Sequence, residues 1–499
     1  MDVFLRKSNP AARATGVLAV GVAEGSGKLS GAAQSLDRST RGAVSAVLAT
    51  GDFKGKHLET ALIYPEGVKA KRVLLVGLGP QKAITPQRVL AVAATAARRA
   101  RELGAETLAM ALHTGATLDV ATASAAAEGA VLGHYRHTAY KSDAKPPLDR
   151  IELLSPGAAT PRLATAVASG ELRGEATCLA RDLANTPGQD LVPEQLAERA
   201  VEIARTVGAT AQVLDVPAME RLGMGCVLAV GRGSAHAPRF VVLEAAPTSK
   251  PRRGGRVPTV VVIGKGVTFD TGGYSLKPRE GMSKMKYDMS GAAAVLGLFA
   301  SLPTLDLPFK LVGLIPSAEN MVNSRALKPG DVVRALDGTT IEVTNTDAEG
   351  RLLLADALGY AKRYKPDAVV NLATLTGAIS VALGRACAGL FTRDDAFAAE
   401  LTQAGESVGE RLWRMPLWDD YLVEMKGDTA DLLNSSERRE GAACTAAAFL
   451  EHFAKGMRWA HLDIASTAWT YADRGEYTRG ANAFGSRLLV KWLEGVAAR

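Results

Sequence analysis

Residues 345–352 contain the clearest chemical signal in this 499-residue chain, because two carboxylates and a guanidinium stand two residues apart there. Asp347, Glu349 and Arg351 follow a β-branched run and precede an apolar run with helical spacing, which predicts a strand-to-helix turn. The free N–H groups of a helix start tolerate acids and can hold a small anion beside Arg351. A plain helix cap with a charged first turn is the alternative.

A second polar cluster follows residues 259–263, an apolar β-branched run that predicts a buried strand of a mostly parallel sheet. The cluster contains Lys265, Asp270, Lys277 and Asp288 among several glycines, which allow backbone turns that other residues resist. In open α/β sheets, ligands bind outside the carboxyl ends of the strands. Both clusters follow strands in that sense, so they are expected to contribute to one site.

The two clusters together offer four carboxylates, two lysines and one arginine, with no histidine or cysteine. Carboxylate oxygens favour Mg²⁺ and Mn²⁺, and Zn²⁺ accepts them too. Four acids exceed the need of one ion, so convergence of the clusters predicts two cations about 3.5–4 Å apart that activate water for hydrolysis. A nearby dication lowers the pKa of a lysine amine, so that one lysine can be a neutral ligand while the other polarises a carbonyl.

The chain resembles the leucyl aminopeptidase family of bacterial type, also called cytosol aminopeptidase. The resemblance extends over roughly residues 180 to 490, and the motifs that carry it are residues 262–270, 275–278, 285–293, 318–321, 328–331, 345–352, 371–378, 413–416 and 459–465. It implies a metal-dependent aminopeptidase that acts on peptides with a free amino terminus and prefers leucine and other apolar first residues.

The resemblance also implies the metal ligands. One ion is expected at Lys265, Asp270, Asp288 and Glu349, and the other at Asp270, Asp347 and Glu349, so that Asp270 and Glu349 bridge the two. The residue types leave the choice among Mn²⁺, Zn²⁺ and Mg²⁺ open.

Two basic residues take catalytic roles in the resemblance. Lys277 is expected to contact the peptide carbonyl and the developing oxyanion, and Arg351 to hold a bicarbonate that serves as general base. A free substrate amine can ligate one metal while the carbonyl oxygen approaches the other metal and Lys277. Only a chain end offers both groups, which favours an aminopeptidase over an internal protease.

The apolar pocket for the substrate side chain is expected at four positions on the same basis. These are Met285, Thr374, Leu375 and Gly377.

Alternating strand and helix patterns predict an α/β fold with two domains. Residues 1–165 are expected to form a smaller N-terminal α/β domain, residues 166–188 a connecting helix, and residues 189–499 a larger catalytic α/β domain with a mostly parallel central sheet flanked by helices. The resemblance implies that the N-terminal domain serves the assembly of a homohexamer.

The composition is that of a globular enzyme, with 47% hydrophobic residues and four scattered cysteines: Cys178, Cys226, Cys387 and Cys444. Their spacing fits neither a metal site nor a disulfide framework, so free buried thiols in a reducing cytoplasm are expected. No signal-peptide core and no apolar run of membrane-spanning length is present. A cytoplasmic protein without a membrane partner is predicted.

Two further functions are open. The net charge of +7 and the basic residues 98–101 and 250–256 suggest an additional DNA-binding role, although a solvated basic surface explains them more simply. A dimetal phosphatase using the same carboxylates is the other alternative. Hydrolysis of an aryl phosphate but not of an aminoacyl anilide would favour it.

Three weaker motifs are better explained by structure than by chemistry. Lys265 lies between glycines after a strand, but the Walker A spacing around it fails. Residues 76–80 suggest dinucleotide binding, yet the third glycine is missing, which favours a strand-end turn. His461 and Asp463 share one face of a predicted strand, and a buried, hydrogen-bonded histidine is expected because no nucleophile accompanies them.

Overall fold

The computed structural model describes residues 2–25, 29–115, 118–143, 147–250, 256–436, 438 and 440–498. The chain folds into two compact units. Unit 1 contains Met1–Cys178 and Thr470–Arg479, and unit 2 contains Leu179–Trp469 and Gly480–Arg499. The division passes through the long helix that includes most of the predicted connecting helix, residues 166–188.

Unit 1 is built around one six-stranded sheet. Its elements in chain order are β1 (Asp2–Lys7), β2 (Val17–Glu24), α1 (Gly31–Ser39), α2 (Ala43–Thr50), β3 (Thr60–Ile63), β4 (Val73–Pro80), α3 (Pro86–Glu102), β5 (Thr107–Ala111), α4 (Val120–His134), β6 (Arg150–Ser155) and α5 (Pro161–Asn185), the last of which continues into unit 2. The strand order is β1, β6, β5, β2, β4, β3, and every pairing is parallel except that of β3 with β4.

Residues of the sheet in unit 1 alternate between two apolar layers, because successive side chains of a strand point to opposite faces. Val17 and Ala19 pack with α3 and α4 on one face, whereas Leu18 and Val20 pack with α1 and α2 on the other. This double burial explains why β2 is apolar throughout rather than alternating with polar residues.

Residues 470–479 belong to unit 1 although their sequence neighbours lie in unit 2. Gln87 donates to Glu476 Oε1 at 2.7 Å, and Arg98 Nη1 donates to the carbonyl of Gly475 at the same distance. These bonds attach the segment to helix α3.

Unit 2 contains the larger sheet and most of the helices. Its elements are α6 (Pro193–Thr206), β7 (Thr210–Leu214), α7 (Val216–Leu222), α8 (Gly225–Gly231), β8 (Arg239–Ala245), β9 (Thr259–Gly264), β10 (Gly266–Asp270), α9 (Arg279–Met282), α10 (Ser290–Ala300), β11 (Lys310–Asn320), β12 (Val332–Arg334), β13 (Thr340–Glu342), α11 (Gly350–Ala361), β14 (Ala368–Ala373), α12 (Gly377–Leu383), β15 (Ala388–Phe391), α13 (Asp395–Ser407), β16 (Leu412–Arg414), α14 (Asp419–Val423), β17 (Leu432–Leu433), α15 (Ala442–Ala454), β18 (Trp459–Asp463), β19 (Trp469–Thr470), β20 (Gly480–Ala481) and α16 (Ser486–Ala497).

The nine-stranded sheet of unit 2 has the order β16, β15, β18, β14, β9, β11, β8, β7, with β10 paired to β11. Its centre, from β18 to β11, is parallel, and antiparallel pairings occur on both sides of that centre. Val260 and Val262 face α6, α10 and α16, whereas Val261 and Ile263 face α8, α11 and α15. The predicted two-domain α/β fold with a mostly parallel central sheet is therefore confirmed.

The predicted buried strand at residues 259–263 is β9, and helix α10 follows the second cluster. The strand before Asp347 is shorter than its β-branched composition suggests, because only Thr340–Glu342 pairs with neighbours. None of the described helices combines the length and apolar composition needed to cross a bilayer.

The glycines at residues 76–80 serve packing within unit 1. A Cβ on Gly77 would lie 1.8 Å from the carbonyl oxygen of Lys56, so the strand could not approach that loop with any other residue. Gly77 N–H donates to the carbonyl of Glu59, and Leu58 N–H donates to that of Gly77. The motif lies within β4, which continues to Pro80 with a shift of register between Gly77 and Gly79, so the prediction of a strand-end turn is wrong.

All four cysteines are free thiols. Cys226 and Cys444 are buried, but Cys178 and Cys387 are only partly buried, so the prediction of buried thiols is wrong for these two. Cys178 lies on the long helix α5 and packs at the edge of an apolar cluster, and Cys387 lies in a loop before β15.

Candidate functional site

The polar clusters meet where the central parallel strands of unit 2 end. Lys265 follows β9 and Thr374 follows β14, and the register that pairs Gly264 with Leu372 brings these two ends side by side. Asp270 is the last residue of β10, opposite Asn320 at the end of β11. Parallel strands thus deliver side chains from distant parts of the sequence to one edge.

The side chain of Lys265 joins two of the acids. Its Nζ lies 2.8 Å from both Asp288 Oδ2 and Glu349 Oε1, and it donates to the carbonyl of Thr374 at 2.9 Å. Asp288 comes from a short 3₁₀ turn, residues 285–289, and also accepts from Thr374 Oγ1 at 2.6 Å. Lys265 is 2% exposed, so this cluster is excluded from bulk solvent.

Lys277 joins the other pair of acids. Its Nζ lies 2.8 Å from Asp270 Oδ2 and forms a short ion pair with Asp347 Oδ1. The second oxygen of Asp270 accepts from Gly272 N–H and from Asn320 Nδ2, each at 2.8 Å. Asp270 therefore has one oxygen fixed by the protein and one directed at a cation.

Oxygens of Asp270, Asp347 and Glu349 all lie within 4.8 Å of one another, which is close enough for a shared metal ion. Glu349 occupies the N-cap position of α11 but makes no capping hydrogen bond with its side chain. The plain-cap alternative therefore does not describe this turn. Glu349 instead directs its carboxylate into the acidic cluster.

The cluster carries more negative than positive charge. When all are ionised, Asp270, Asp288, Asp347 and Glu349 supply four negative charges against two positive charges from the lysines. Burial raises the pKa of Asp270 to about 6 and raises those of Asp288 and Asp347, and the lysines only partly oppose this. Burial also disfavours ionised Glu349, but its two ammonium neighbours outweigh burial and lower its pKa.

Both lysines remain charged beside these acids. Burial disfavours the ammonium form of Lys265 and of Lys277, but the surrounding carboxylates outweigh burial and raise the pKa of each lysine above its ordinary value. The two ammonium groups thus lie among the acids and partly neutralise their charge, as a bound cation would.

Arg351 is buried in the first turn of α11, with its Nη1 donating to the carbonyl of Asn434 at 2.7 Å. Burial lowers the pKa of Arg351 to about 10, while the negative charges of Glu349 and Asp463 partly oppose this effect. The guanidinium remains protonated near neutral pH. Its N–H groups that are not bonded to Asn434 can donate to a small anion.

Asn434 is a buried residue that fixes the turn before α11, and no sequence pattern predicts this role. Its Nδ2 donates to the carbonyls of Asn345 and Ala348, and its Oδ1 accepts from the N–H of Thr344. The residue lies 89 positions from Asn345 and follows the two-residue strand β17. No spacing rule connects such a distant amide to the site.

Asp463 organises the loop after β14. Its Oδ1 accepts from the N–H of Leu375 and of Ala465, each at 3.2 Å, and its Oδ2 accepts from Thr376 Oγ1 at 2.7 Å. Burial raises the pKa of Asp463 to about 6, against the opposing effect of these donors. Since this loop begins with Thr374, which binds Lys265 through its carbonyl, Asp463 supports the site indirectly.

Of the residues predicted for the substrate pocket, Thr374 and Leu375 lie in this loop. Met285 begins the 3₁₀ turn that carries Asp288, Gly377 begins α12 and is exposed, and Leu375 is partly buried. Only Thr374 of this group contacts a predicted metal ligand through its side chain.

His461 is a structural residue of β18, as expected. Its ring is completely buried, and its Nδ1 lies 2.7 Å from Asn371 Nδ2. Burial lowers the pKa of His461 to about 3, so the ring is neutral. A neutral imidazole held by an amide and stacked on Phe391 fills the core rather than transferring protons.

Residues 405–409, Gly-Glu-Ser-Val-Gly, fit the nucleophile-elbow pattern of serine hydrolases, but they end helix α13 instead of connecting a strand to a helix. The hydroxyl of Ser407 donates to the carbonyl of Ala404 at 2.7 Å. The pentapeptide therefore lacks the context of a catalytic serine.

The basic residues behind the DNA-binding alternative are largely engaged within unit 1 or lie outside the described residues. Arg98 binds the carbonyl of Gly475, Arg99 pairs with Glu102, and Arg101 donates to three carbonyls at the carboxyl end of α4. Residues 251–255 of the other basic run are not among those described.

Comparison with known families assigns both parts of the chain. The cytosol aminopeptidase family's catalytic domain matches residues 178–490, and the same family's N-terminal domain matches residues 19–144. A probable cytosol aminopeptidase of Roseiflexus castenholzii is 44% identical over 500 residues, with 99% of each chain covered. One of Geobacter sulfurreducens is 43% identical over 463 residues, with 92% of each chain covered.

Solved structures give the same result. The bottromycin maturation enzyme BotP in complex with Mn has a TM-score of 0.85 and 39% identity, covering 97% of this chain and 100% of that chain. A lysine-to-glutamate mutant of tomato leucine aminopeptidase has a TM-score of 0.88 and 33% identity, covering 99% of this chain and 96% of that chain. The resemblance inferred from the motifs is confirmed.

Proposed function

Because the chain belongs to the cytosol aminopeptidase family of metal-dependent exopeptidases, we propose that it uses two divalent cations to remove apolar residues, leucine foremost, from the free amino end of peptides. One observation carries the proposal. Buried oxygens of Asp270, Asp347 and Glu349 converge within 4.8 Å beside two lysines, in a cluster whose negative charge exceeds its positive charge.

The residues present fit a pair of divalent cations. Asp288 Oδ2, Asp347 Oδ1 and Glu349 Oε1 are buried and accept no well-directed hydrogen bond, although each lies at ion-pair distance from a lysine. Buried carboxylate oxygens without hydrogen bonds are costly unless a cation satisfies them. In this proposal Lys265, Asp270, Asp288 and Glu349 hold one ion, and Asp270, Asp347 and Glu349 hold the other.

A pair of bound cations supplies Lewis acidity and a nucleophilic water near neutral pH. The chain's own residues position the remaining groups. Thr374 and Asp288 fix the end of Lys265, so that its amine can serve as a ligand once the proton is displaced. Asn320 holds Asp270 through one oxygen and leaves the other for a shared ligand role.

Lys277 is suited to the oxyanion. Its side chain is about one-fifth exposed, unlike that of Lys265, so it reaches both the acidic cluster and the approach side of the site. An ammonium there donates to the substrate carbonyl as negative charge develops on its oxygen. Because its pKa is raised by the neighbouring carboxylates, Lys277 keeps its proton throughout the neutral range.

Arg351 would hold the general base. Its guanidinium is buried at a helix start, where the free N–H groups favour an anion, and among the described residues it receives one protein acceptor, the carbonyl of Asn434. A bicarbonate bound there would accept a proton from the attacking water, which explains why the cluster contains no histidine or free carboxylate for that role.

Metal reconstitution tests the proposal directly. The metal-stripped protein is assayed on leucyl p-nitroanilide while Mn²⁺, Zn²⁺ or Mg²⁺ is added, and bound metal is counted. Mn²⁺ is tested first because BotP was solved with that ion. We expect no activity without metal and full activity at two ions per chain. Full activity with one ion, or with none, would exclude the two-metal arrangement.

Matched substrates separate this function from its alternatives. N-acetyl-leucyl p-nitroanilide lacks the free amine and should not be hydrolysed, and an aryl phosphate should be inert. Hydrolysis of the aryl phosphate alone would establish the phosphatase instead. A series of alanyl, leucyl, lysyl and glutamyl anilides tests the apolar pocket at Met285, Thr374, Leu375 and Gly377, for which leucine should give the highest kcat/KM.

We propose, on family membership, a cytoplasmic homohexamer whose assembly involves residues 1–165. Light scattering after size exclusion measures the mass directly. A species of six chains is expected, and a monomer at micromolar concentration would contradict it.

A further inference from the structure

The sheet of unit 1 has a topological switch point between β2 and β5. From β2 the chain continues through α1 and α2 toward β4, whereas from β5 it continues through α4 toward β6. The helices on the two routes pack on opposite faces of the sheet. Such a divergence opens a crevice at the carboxyl ends of the strands, where α/β sheets bind ligands.

A cavity of about 800 Å³ lies at this switch point. It is lined by segments at the carboxyl ends of four parallel strands: residues 7–10 at the end of β1, 29–32, 34 and 35 after β2, 113–115 after β5 and Pro156 after β6. Ligand pockets for small organic molecules typically measure about 300–1,000 Å³, so the cavity is too large for a bare anion and suits a molecule of nucleotide size.

The cavity is free of negative side chains among the described residues that line it, and it contains Lys7. Lys7 is exposed and has no ion-pair partner in the described part of the chain. This composition contrasts with that of the whole chain, which has 52 acidic residues among 499. No negatively charged side chain among the described lining residues would repel an anionic ligand.

The amino end of α1 opens into the same cavity. The Ser30 side chain makes no capping hydrogen bond, and the N–H of Ala32 donates to the carbonyl of His113. The N–H groups of Gly31 and Ala33 have no acceptor within the described residues. Gly31 has φ +54, and a Cβ there would lie 2.5 Å from the carbonyl of His113, so only glycine permits this approach.

His113 supplies an independent feature that points to a ligand. The residue is 7% exposed, and its Nδ1 lies 3.1 Å from the carbonyl of Gly115. A carbonyl only accepts, so Nδ1 carries the proton and Nε2 of the neutral ring is an acceptor. No hydrogen bond joins Nε2 to the described residues, and His113 is among the residues that line the cavity. It suits a hydroxyl or amine of an organic ligand, not a phosphate.

We propose that unit 1 binds a phosphorylated small molecule of nucleotide size in this cavity. The phosphate lies at the amino end of α1 and beside Lys7, and the His113 Nε2 accepts a hydrogen bond from the sugar or base. Free N–H groups and the positive end of the helix dipole favour the phosphate, as at other helix starts.

Calorimetric titration of the full-length protein with ADP tests the site. We expect one ADP per chain, and adenosine and inorganic phosphate should each bind at least about tenfold more weakly, because each supplies only part of the contacts. Equal binding of adenosine and ADP would remove the phosphate site. Absence of saturable ADP binding below millimolar concentration would overturn the proposal.

Charge variants locate the binding. Lys7→Glu and Gln34→Glu each place a negative charge on an exposed position of the cavity wall and should weaken ADP at least about tenfold. Lys71→Glu is the matched control, because this exposed lysine precedes β4 at the opposite, amino end of the strands. Equal weakening by all three variants would show a diffuse charge effect and contradict the site.

Hydrolysis of leucyl p-nitroanilide is measured alongside, since ADP can also bind divalent cations. The rate should be unchanged at saturating ADP and in the three variants, which also shows that they are folded. Competitive inhibition by ADP that is independent of Lys7 and Gln34 would place the nucleotide at the acidic cluster and overturn the proposal.

Discussion

The two sheets of this chain end their parallel strands in opposite kinds of environment. In unit 2 the edge collects Asp270, Asp288, Asp347 and Glu349 around two lysines, whereas the cavity edge of unit 1 has no acid among its described lining residues. Both edges arise from the same topology, in which glycines and loops follow buried strands. The topology therefore supplies the place, and the side chains alone decide whether that place attracts cations or anions.

Removal of an acid that is assigned to both ions should have the largest effect on metal binding at the edge of unit 2. Asp270→Ala and Glu349→Ala each delete a ligand assigned to both ions, so bound metal should be lost and kcat/KM should fall by roughly 10³-fold or more. Metal counting and leucyl anilide assays measure both effects. Glu220→Ala, an exposed acid on α7, is the control and should change neither. Activity within tenfold of wild type in the bridging variants would remove the assignment.

Lys277→Ala should separate binding from turnover. The acids remain, so both ions should stay bound. Loss of an oxyanion donor should lower kcat, because the transition state loses about 2–4 kcal/mol of stabilisation. Lys491→Ala, on the exposed side of α16, is the matched control. Loss of both ions in Lys277→Ala would contradict the role given to this lysine and would make it part of the metal site.

Asn434→Ala tests how far the acidic edge depends on a buried amide. Loss of its bonds to Thr344, Asn345 and Ala348 should loosen the turn and weaken metal affinity or activity by about 10- to 100-fold, as for other groups that support metal ligands. Asn434→Asp keeps the acceptor for Thr344, but it places a carboxylate oxygen against the carbonyls of Asn345 and Ala348 in a buried site, so it should lose at least as much as the alanine variant. Thermal unfolding is recorded for both, and unchanged metal affinity in a folded Asn434→Ala would refute the positioning role.

The smallest effect concerns a buried acid that is remote from the strand edge. Asp356 accepts from the N–H of Val227 and of Leu336, and burial raises its pKa to about 7 from an ordinary 3.8. Between those values the folded protein keeps a proton that the unfolded chain has lost. Unfolding then releases a proton, so the free energy of unfolding falls as pH rises from about 4 to 7.

Asp356→Asn removes this titration. The Tm of wild type minus that of the variant should fall as pH rises from about 4 to 7 and stay constant above it, because the cost of placing an amide opposite two N–H groups does not depend on pH. Scanning calorimetry at several pH values measures this signed difference. A signed difference that rises with pH in this window would contradict the raised pKa. Asp356→Asn should remain active, because Asp356 supports the fold and is not one of the acids of the candidate site.

Much of the fold and the site could be predicted because their signals are local. Apolar β-branched runs predicted β9, and the spacing of Asp347, Glu349 and Arg351 marked a strand-to-helix turn that the structure contains. Asn434 escaped prediction because its contacts are made across 89 residues by a single amide. The cavity of unit 1 escaped for a similar reason, since residues from four separate segments produce it without any motif.

The return of residues 470–479 to the first unit means that the chain crosses the boundary between the units three times, after residues 178, 469 and 479. No single cut can therefore release either half intact. A protease that cleaves near residue 178 would place helix α3 on one fragment and Gly475 and Glu476 on the other. The hydrogen bonds between them would remain. Such a nicked protein should migrate as one particle under native conditions and separate only in denaturant.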